Sequence, residues 1–480
     1  MDPTIKLALE TIELGKQAIV FCGTKSSAEK TAEEIAKKIK VKAEKEKELL
    51  VLSEQLLHAL DKPTKQCERL AKCVKKGIAF HHAGLVNKQR KLIEDNFRNG
   101  TIKIICATPT LAYGVDLPAF RVIIKTLRRY EHGYMEWIPT LEYLQMAGRA
   151  GRPKYDKIGE AIAIATTEAM KDEIIERYIH GLPEEIVSKL AVEPVLRMHL
   201  LALIATGFVR TKNDIIEFFK ATFWAKQFSD FEMISAIIER MLNLLVKIGF
   251  VKKQKDVYRA TRLGLRVSQL YIDPLTAYHI VNCIKVAEKA KKEPSALALL
   301  QMISHTAEMR PLPGIRAKEY DELQEFLFKH GEELLEKEPS MWDVEYEDFL
   351  SSVKLARLFL DWINEVDEEV ILERYKIRPG ETRAKLEIAD WLLYSASELA
   401  KIIGNKLFVS VVKKLRLRMK YGVKEELLEL VMLKDIGRVR ARMLYSFGIK
   451  SISDLRKVEK ERLEKILGKK IAEKVLLQIE

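Results

Sequence analysis

No apolar stretch in this chain reaches the eighteen or so residues that a membrane-crossing helix needs, and MDPTIKLALE has neither the basic start nor the apolar core of a signal peptide. The expectation is a soluble, cytoplasmic chain with no membrane partner. Cysteine is scarce: Cys22, Cys67, Cys73, Cys106 and Cys283 include no CxxC pair, which argues against a disulfide framework or a zinc site. Repeats and low-complexity tracts are absent. So is the phosphate loop GxxxxGK(S/T): Gly15-Lys16 is followed by Gln17, Gly468-Lys469 by Lys470, and neither pair has the preceding glycine. Asp367, Glu368 and Glu369 fall in helical sequence, not at a strand end where a magnesium ligand would sit.

What is present is enough for several cores. The 480 residues are 48% hydrophobic and 31% charged, which excludes a disordered chain and predicts three or four domains. Lys plus Arg (82) exceed Asp plus Glu (69) by 82 − 69 = +13. Such an excess fits a polyanionic partner, nucleic acid first; a heat-adapted surface crowded with Lys and Glu fits it as well.

Up to about Glu168, short β-branched runs alternate with amphipathic helices, the pattern of a parallel sheet wrapped by helices. The expected strands are Ala18 to Cys22, Ile78 to His81, Lys103 to Ala107, Arg121 to Ile124 and Glu160 to Ala165. After the first, Ser26 and Glu29 suggest a capping box opening a helix with one apolar stripe. Val41 to Leu60 reads as a charged, helical, exposed insertion. Beyond Lys171 the chain is mostly helical, with one Gly-turned β element, KIGFVKKQKDVYRATRLG, behind a helix, the order of a winged helix. Pro294, Pro311, Pro313, Pro339 and Pro379 punctuate a helical bundle, and short basic helices end the chain.

Four strings carry chemistry. In QMAGRAGRP, Arg149 and Arg152 stand among glycines and alanines that permit close approach, so two guanidinium forks can meet triphosphate oxygens. ATPTLAYGVDLPAF leaves a strand at the sheet's carboxyl edge, where α/β folds bind ligands. There Thr108 and Thr110 can donate to phosphate, Gly114 permits a positive φ, and Asp116 can report the nucleotide's state. IIKTLRRYEHGYMEWIP reads as a hairpin tipped by His132 and Gly133, with Arg128, Arg129, Tyr130, Tyr134 and Trp137 mixing cations and rings for bases and phosphates. In AFHHAGL, His81 and His82 are adjacent on a strand and point to opposite faces, so no metal site is expected.

With FCGTKSSAE, these strings in this order resemble the second RecA-like lobe of superfamily-two helicases, and together the Ski-type archaeal DNA helicases called Hjm, for Holliday junction migration. The resemblance covers essentially the whole chain. It implies an α/β RecA-like lobe (1–170), a winged helix (171–270), a helical ratchet domain (271–404) and a terminal helix-hairpin-helix domain (405–480). Arg149 and Arg152 would be fingers on ATP, Gln145 would orient the γ-phosphate, and Gly114 and Asp116 would couple nucleotide to lobe closure. Gly23, Thr24, His82, Ala83, Gly84, Thr108 and Thr110 would follow the tracking strand's backbone. The hairpin, with Arg129, Tyr130, His132 and Tyr134, would part the duplex. The family's ratchet helix carries an arginine and a tryptophan seven residues apart; Trp391 matches, but the residue seven earlier is Ala384, with Arg383 beside it. Near the end, LVMLKDIGRVRARMLYSFGI resembles a helix-hairpin-helix whose Gly437 turn would offer amides to phosphate, ringed by Arg438, Arg440 and Arg442.

The implied activity is that of the C-terminal half of an ATP-dependent 3′ to 5′ DNA helicase acting on forked or branched DNA in repair and recombination. ATP with Mg²⁺ would be held mainly by a first RecA-like lobe on another polypeptide, whether through a split gene, toward which Met1 leans, or a chain cut at the lobe boundary. Two alternatives stay open: a non-catalytic nucleic-acid-binding or regulatory subunit, and half of an RNA helicase.

Overall fold

The β-branched runs become a parallel sheet with its ends slightly trimmed. A computed structural model describes residues 2–41, 43–60, 62–131, 134–151, 156 and 158–479, divided into two compact units. The first comprises residues 1–186 and 376–383. Its elements are α1 (Pro3–Glu13), β1 (Ala18–Phe21), α2 (Lys25–Ala36), α3 (Ala43–Leu57), α4 (Lys65–Val74), β2 (Ile78–His81), α5 (Asn87–Arg98), β3 (Ile104–Ala107), α6 (Leu111–Gly114), β4 (Arg121–Ile124), the hairpin β5 (Arg128–Glu131) and β6 (Tyr134–Trp137), α7 (Thr140–Ala147), β7 (Glu160–Ala163) and α8 (Glu168–Ile174). The sheet order is β2-β3-β1-β4-β7, all parallel. Strands β1, β2, β3 and β4 are buried at every position, as expected where helices cover both faces.

Polar side chains lock this lobe together. Arg121 is 7% exposed, yet its guanidinium donates to the Leu7 carbonyl and Thr11 hydroxyl of α1, each at 3.0 Å, and to Glu160 of β7 at 2.7 Å. Gln17 donates to the Phe97 and Ile102 carbonyls at 2.6 and 2.8 Å, fixing the approach to β1. Two local expectations are corrected. The cap of α2 is Thr24, whose hydroxyl accepts from Ser27 N at 3.1 Å, not a Ser26 box; Glu29 turns inward instead. The charged stretch 41–60 is not simply exposed: Leu49, Leu52, Leu56 and Leu60 are buried and α3 packs on α4 and α5, because one leucine stripe among the charges suffices to seat a helix.

The second unit comprises residues 187–375 and 384–480. Helices α9 (Glu193–Ala205), α10 (Lys212–Lys220), α11 (Phe223–Phe228) and α12 (Phe231–Lys247) precede the hairpin β8 (Val251–Gln254) and β9 (Val257–Ala260) and helix α13 (Arg262–Leu270). The hairpin turns at Lys255, with φ 53°, while Gly249, with φ 81°, follows α12; the glycine is not the turn. A buried bidentate pair, Arg197 to Asp273 at 2.6 and 2.5 Å, ties α9 to the cap of the next helix. Helices α14 (Pro274–Ala290), α15 (Ala296–Ser304), α16 (Ala317–His330), α17 (Tyr346–Ile363), α18 (Glu368–Tyr375), α19 (Pro379–Ile403) and α20 (Lys406–Tyr421) follow, broken at the expected prolines. The short helices α21 (Leu428–Val431), α22 (Arg438–Ser446), α23 (Ile452–Leu455), α24 (Lys460–Leu467) and α25 (Lys469–Ile479) share a separate small core. Among the described residues no helix is long and apolar enough to cross a membrane. All five cysteines are buried and unbridged.

The buried stripe of α3 has a measurable consequence. Leu56→Ala should destabilise the protein by about 2–5 kcal/mol, whereas the neighbouring exposed Leu50→Ala should change it by less than about 1 kcal/mol. Urea unfolding separates the two; equal, negligible effects would return this segment to the status of a loose insertion.

Candidate nucleic-acid interface

In the first unit the segments leaving the carboxyl ends of β1, β2 and β3 meet the base of the β5–β6 hairpin around an open cleft of about 620 Å³. Gly23 and Thr24, Ala83, Thr108 and Thr110, and Arg129 all line it, so residues predicted from four separate strings lie together. Each is placed by ordinary local chemistry. Thr24 sits there because it caps α2. Thr108 and Thr110 share a hydroxyl–hydroxyl hydrogen bond of 2.9 Å. Arg129 pairs with Glu142 of α7 at 2.7 Å, and the Arg128 guanidinium lies 4.2 Å from the centre of the Trp137 ring across the hairpin. Hydroxyls, amides and cations around a groove suit a phosphodiester chain.

Beneath the cleft lies a carboxylate that the sequence reading had placed in a cap. Glu29 is 3% exposed. It bonds His82 and Gln66 at 3.1 Å, Arg378 at 3.2 Å and Arg69 at 2.6 Å. Burial opposes its charge, but the bond from His82, the Arg378 guanidinium and the Gln66 amide prevail and hold its pKa down to about 2. The tautomer of His82 follows: Nδ1 accepts the Gly84 N–H at 3.1 Å, so Nε2 carries the proton and donates to Glu29. Burial keeps this imidazole neutral, with its pKa lowered.

Two expected strand contacts are corrected here. His82 is fully buried with both nitrogens engaged, and Gly84 is buried under Arg378. A Cβ on Gly84 would lie 2.3 Å from Arg378 Cδ, so the glycine is a seat for the arginine stem rather than a surface for phosphate. The sequence reading also missed Lys25, Ser26 and Arg378, which line the cleft. Lys25 was legible beside Thr24; Arg378 lies 349 residues from Glu29, and nothing local announces it.

The nucleotide-facing candidates gather at another edge. Gln145, near the end of α7, is exposed. Arg149 donates to the Ala112 carbonyl at 2.5 Å and lies 3.6 Å from Asp116, whose side chain is 95% exposed. Residues 149–151 are pinned to Ala119 by backbone bonds of 2.9 and 2.7 Å. The glycines act here: Gly151 has φ 93°, and a Cβ on Gly159 would come within 2.3 Å of the Gly151 nitrogen. Gly114 is exposed and does not use the positive φ that a glycine permits. Arg152, His132 and Gly133 lie outside the described residues, as does the Tyr130 side chain. Tyr134 and Met135 in β6 are 61% and 55% exposed. In this group Arg149 and Gln145 carry donors, whereas the Asp116 carboxylate only accepts; the sequence has no phosphate loop beside them.

In the second unit, Trp391 is half-buried and its indole donates to the Leu270 carbonyl at 3.0 Å, leaving part of the ring open. Arg383 also falls within α19 but belongs to the first unit. At the terminal hairpin, Gly437 caps α22 without a side-chain bond. Arg440 is exposed, whereas Arg438 donates to the Val366 carbonyl at 2.6 Å over the Trp362 ring, and Arg442 pairs with Glu365 and Glu426. Arg440 in turn donates to the Asp435 carbonyl at 2.7 Å, so all three arginines around this turn are engaged within their own unit.

Residues 41–154 match the helicase conserved C-terminal domain, 297–422 match archaeal helicase domain 4, and 427–480 match a SAM-like helix-hairpin-helix tandem. The ATP-dependent DNA helicase Hel308 of Methanocella arvoryzae is 39% identical over 489 residues, covering 100% of this chain and 65% of its own length. That of Pyrococcus abyssi is 39% identical over 475 residues, covering 98% and 64%. That of Methanococcus vannielii is 36% identical over 515 residues, covering 98% and 66%. Along its whole length the chain is similar to the archaeal Hel308 DNA helicases. It spans about two thirds of the length of these Hel308 relatives, 64–66%. The tandem match also supplies what sequence reading missed, a second helix pair, α24 and α25, joined at Gly468.

The Glu29 centre predicts an acid response. Its carboxyl is lowered from 4.5 to about 2, so its stabilisation is complete above pH 4.5 and is lost as pH falls toward 2. His82 is also lowered, from 6.5, so the unfolded chain takes up its proton first and stability starts to decline below pH 6.5. Glu29→Gln should cost about 1.5–3 kcal/mol at pH 7, because it removes the charge that His82 and the partly exposed Arg69 and Arg378 bond, and the gap should close below pH 4.5. Chemical denaturation across pH measures this; a gap independent of pH would refute it.

Proposed function

We propose that this chain is the C-terminal part of an ATP-dependent 3′ to 5′ DNA helicase of the Hjm kind, acting on forked or branched DNA in repair and recombination. The cleft carries the proposal: hydroxyls, small residues and arginines from separate loops converge at the carboxyl edge of a RecA-like sheet, as a single strand's backbone requires. In this reading residues 1–170 are the second motor lobe, 171–270 a winged helix, 271–404 the ratchet domain and 405–480 the terminal domain.

A first RecA-like lobe supplies the phosphate loop and the Mg²⁺ ligand, and ATP bound there brings the chemistry of phosphoryl transfer to water. Arg149, with Arg152, meets the triphosphate from this side, while Gln145 and Asp116 lie at the same edge. The β5–β6 hairpin, with exposed Tyr134 and Met135, parts the duplex as the strand is drawn along the cleft. Trp391 stacks on a base, and the Gly437 turn with Arg440 holds the departing strand.

The test mixes this chain with a polypeptide carrying a first lobe and measures DNA-stimulated ATP hydrolysis. The pair should turn over ATP, and this chain alone should not. Arg149→Ala and Arg152→Ala should each lower turnover about 10³-fold or more while DNA affinity stays nearly constant. Brisk hydrolysis by the chain alone, or none by a folded pair, would overturn the proposal.

A further inference from the structure

The cleft holds a second set of charges that the motif strings do not account for. Lys25 and Arg378 both line it, one at the start of α2 and the other just before α19. Neither cation is idle. Lys25 is ion-paired with Glu381, and the two side chains are 32% and 30% exposed. Arg378 lays its aliphatic stem across Gly84 and reaches Glu29 and Ser26, each at 3.2 Å. Glu381 has a second bond, from the Arg378 backbone N–H at 2.9 Å, so the carboxylate is held in place by the start of α19. Gly380 fixes this start against the loop: its N–H donates to the Gly84 carbonyl at 3.0 Å, and a Cβ there would lie 2.3 Å from the Leu85 carbonyl oxygen.

The physical situation differs for the two carboxylates. Glu29 is buried and saturated, so it stays with its partners. Glu381 is partly solvated, held by the Arg378 backbone N–H and paired with one partly solvated ammonium, the kind of ion pair that contributes little. A phosphodiester oxygen entering the cleft offers Lys25 the same charge, and releases counterions from the strand as Glu381 does not. Arg378, anchored by its stem and by Glu29, presents its remaining donors to the same groove.

Resting on the reading of this cleft as a strand path, we infer that Lys25 and Arg378 are two further contacts to the phosphodiester backbone, and that Glu381 is a built-in competitor which holds Lys25 until phosphate displaces it. The first turn of α19 thereby senses whether the cleft is filled: an empty cleft keeps Glu381 on Lys25, and an occupied one frees it.

The experiment uses the whole chain and a fluorescently labelled oligothymidylate, with affinity read by anisotropy over a range of potassium chloride concentrations. Lys25→Gln and Arg378→Gln should each weaken binding several-fold and reduce the slope of log affinity against log salt by about 0.7, the value for one phosphate on a single strand. Glu381→Gln should tighten binding several-fold, most at low salt. Arg378→Gln strands Glu29 and is read only after its thermal melt matches the parent; Lys25, one third exposed, carries the test if it does not. Thr108→Val serves as the reference for the strand path itself. Thr108→Val weakening binding while Lys25→Gln leaves affinity and slope unchanged would overturn this inference and leave the strand path standing. Thr108→Val without effect would overturn the strand path. Unchanged affinity in Glu381→Gln would remove the competitor. Displacement of the oligonucleotide by inorganic phosphate at matched ionic strength, abolished in Lys25→Gln, would assign the pair to free phosphate and overturn the inference too.

Discussion

One buried carboxylate organises the first unit's functional edge. Glu29 joins α2 to α4 through Gln66 and Arg69, to the loop after β2 through His82, and to the segment before α19 through Arg378. A buried carboxylate is tolerated only when its oxygens are saturated, so these four partners must assemble together. Because His82 gives its other nitrogen to the Gly84 amide, the same requirement sets the shape of the Ala83–Gly84 loop at the cleft. Residues that the motif strings assign to nucleic acid are thus partly the support for those that line the cleft.

Helix α7 links two further regions. Its first turn is capped from a distance by Glu184, which accepts from Thr140 N and Leu141 N at 2.5 and 3.1 Å. Glu142 near that end grips Arg129 of the hairpin, and Gln145 and Arg149 lie at the other end. Eight helical residues span roughly 12 Å, so the segment around Arg149 has a short, stiff route to the hairpin. No pliable connection intervenes.

Much of this was legible because it is local. The five runs of β-branched residues formed the five expected strands, since period and flanking turns specify a strand within a few residues. Thr24, Thr108 and Thr110 reached the cleft because strand ends and helix caps put them there. The errors were of another kind. A Ser-x-x-Glu spacing indicated a box at Ser26, but burial of Glu29 beside two arginines and a histidine offered that carboxylate more than a cap does. Gly84 appeared to be a ligand-approach glycine, and the chain that approaches it is its own. Arg438, read from the sequence as positive charge beside the Gly437 turn, is also held by a ring and a carbonyl in its own unit.

Sequence alone determined the order of elements and the parallel sheet, because periodicity, capping and turn chemistry act over a handful of residues. Tertiary structure alone decided which of those residues face solvent and which are consumed inside, and it brought Arg378 to Glu29 across 349 positions. The reason is the cost of burying charge: a carboxylate withdrawn from water accepts whichever cations the fold supplies, and a one-dimensional string does not say which those are.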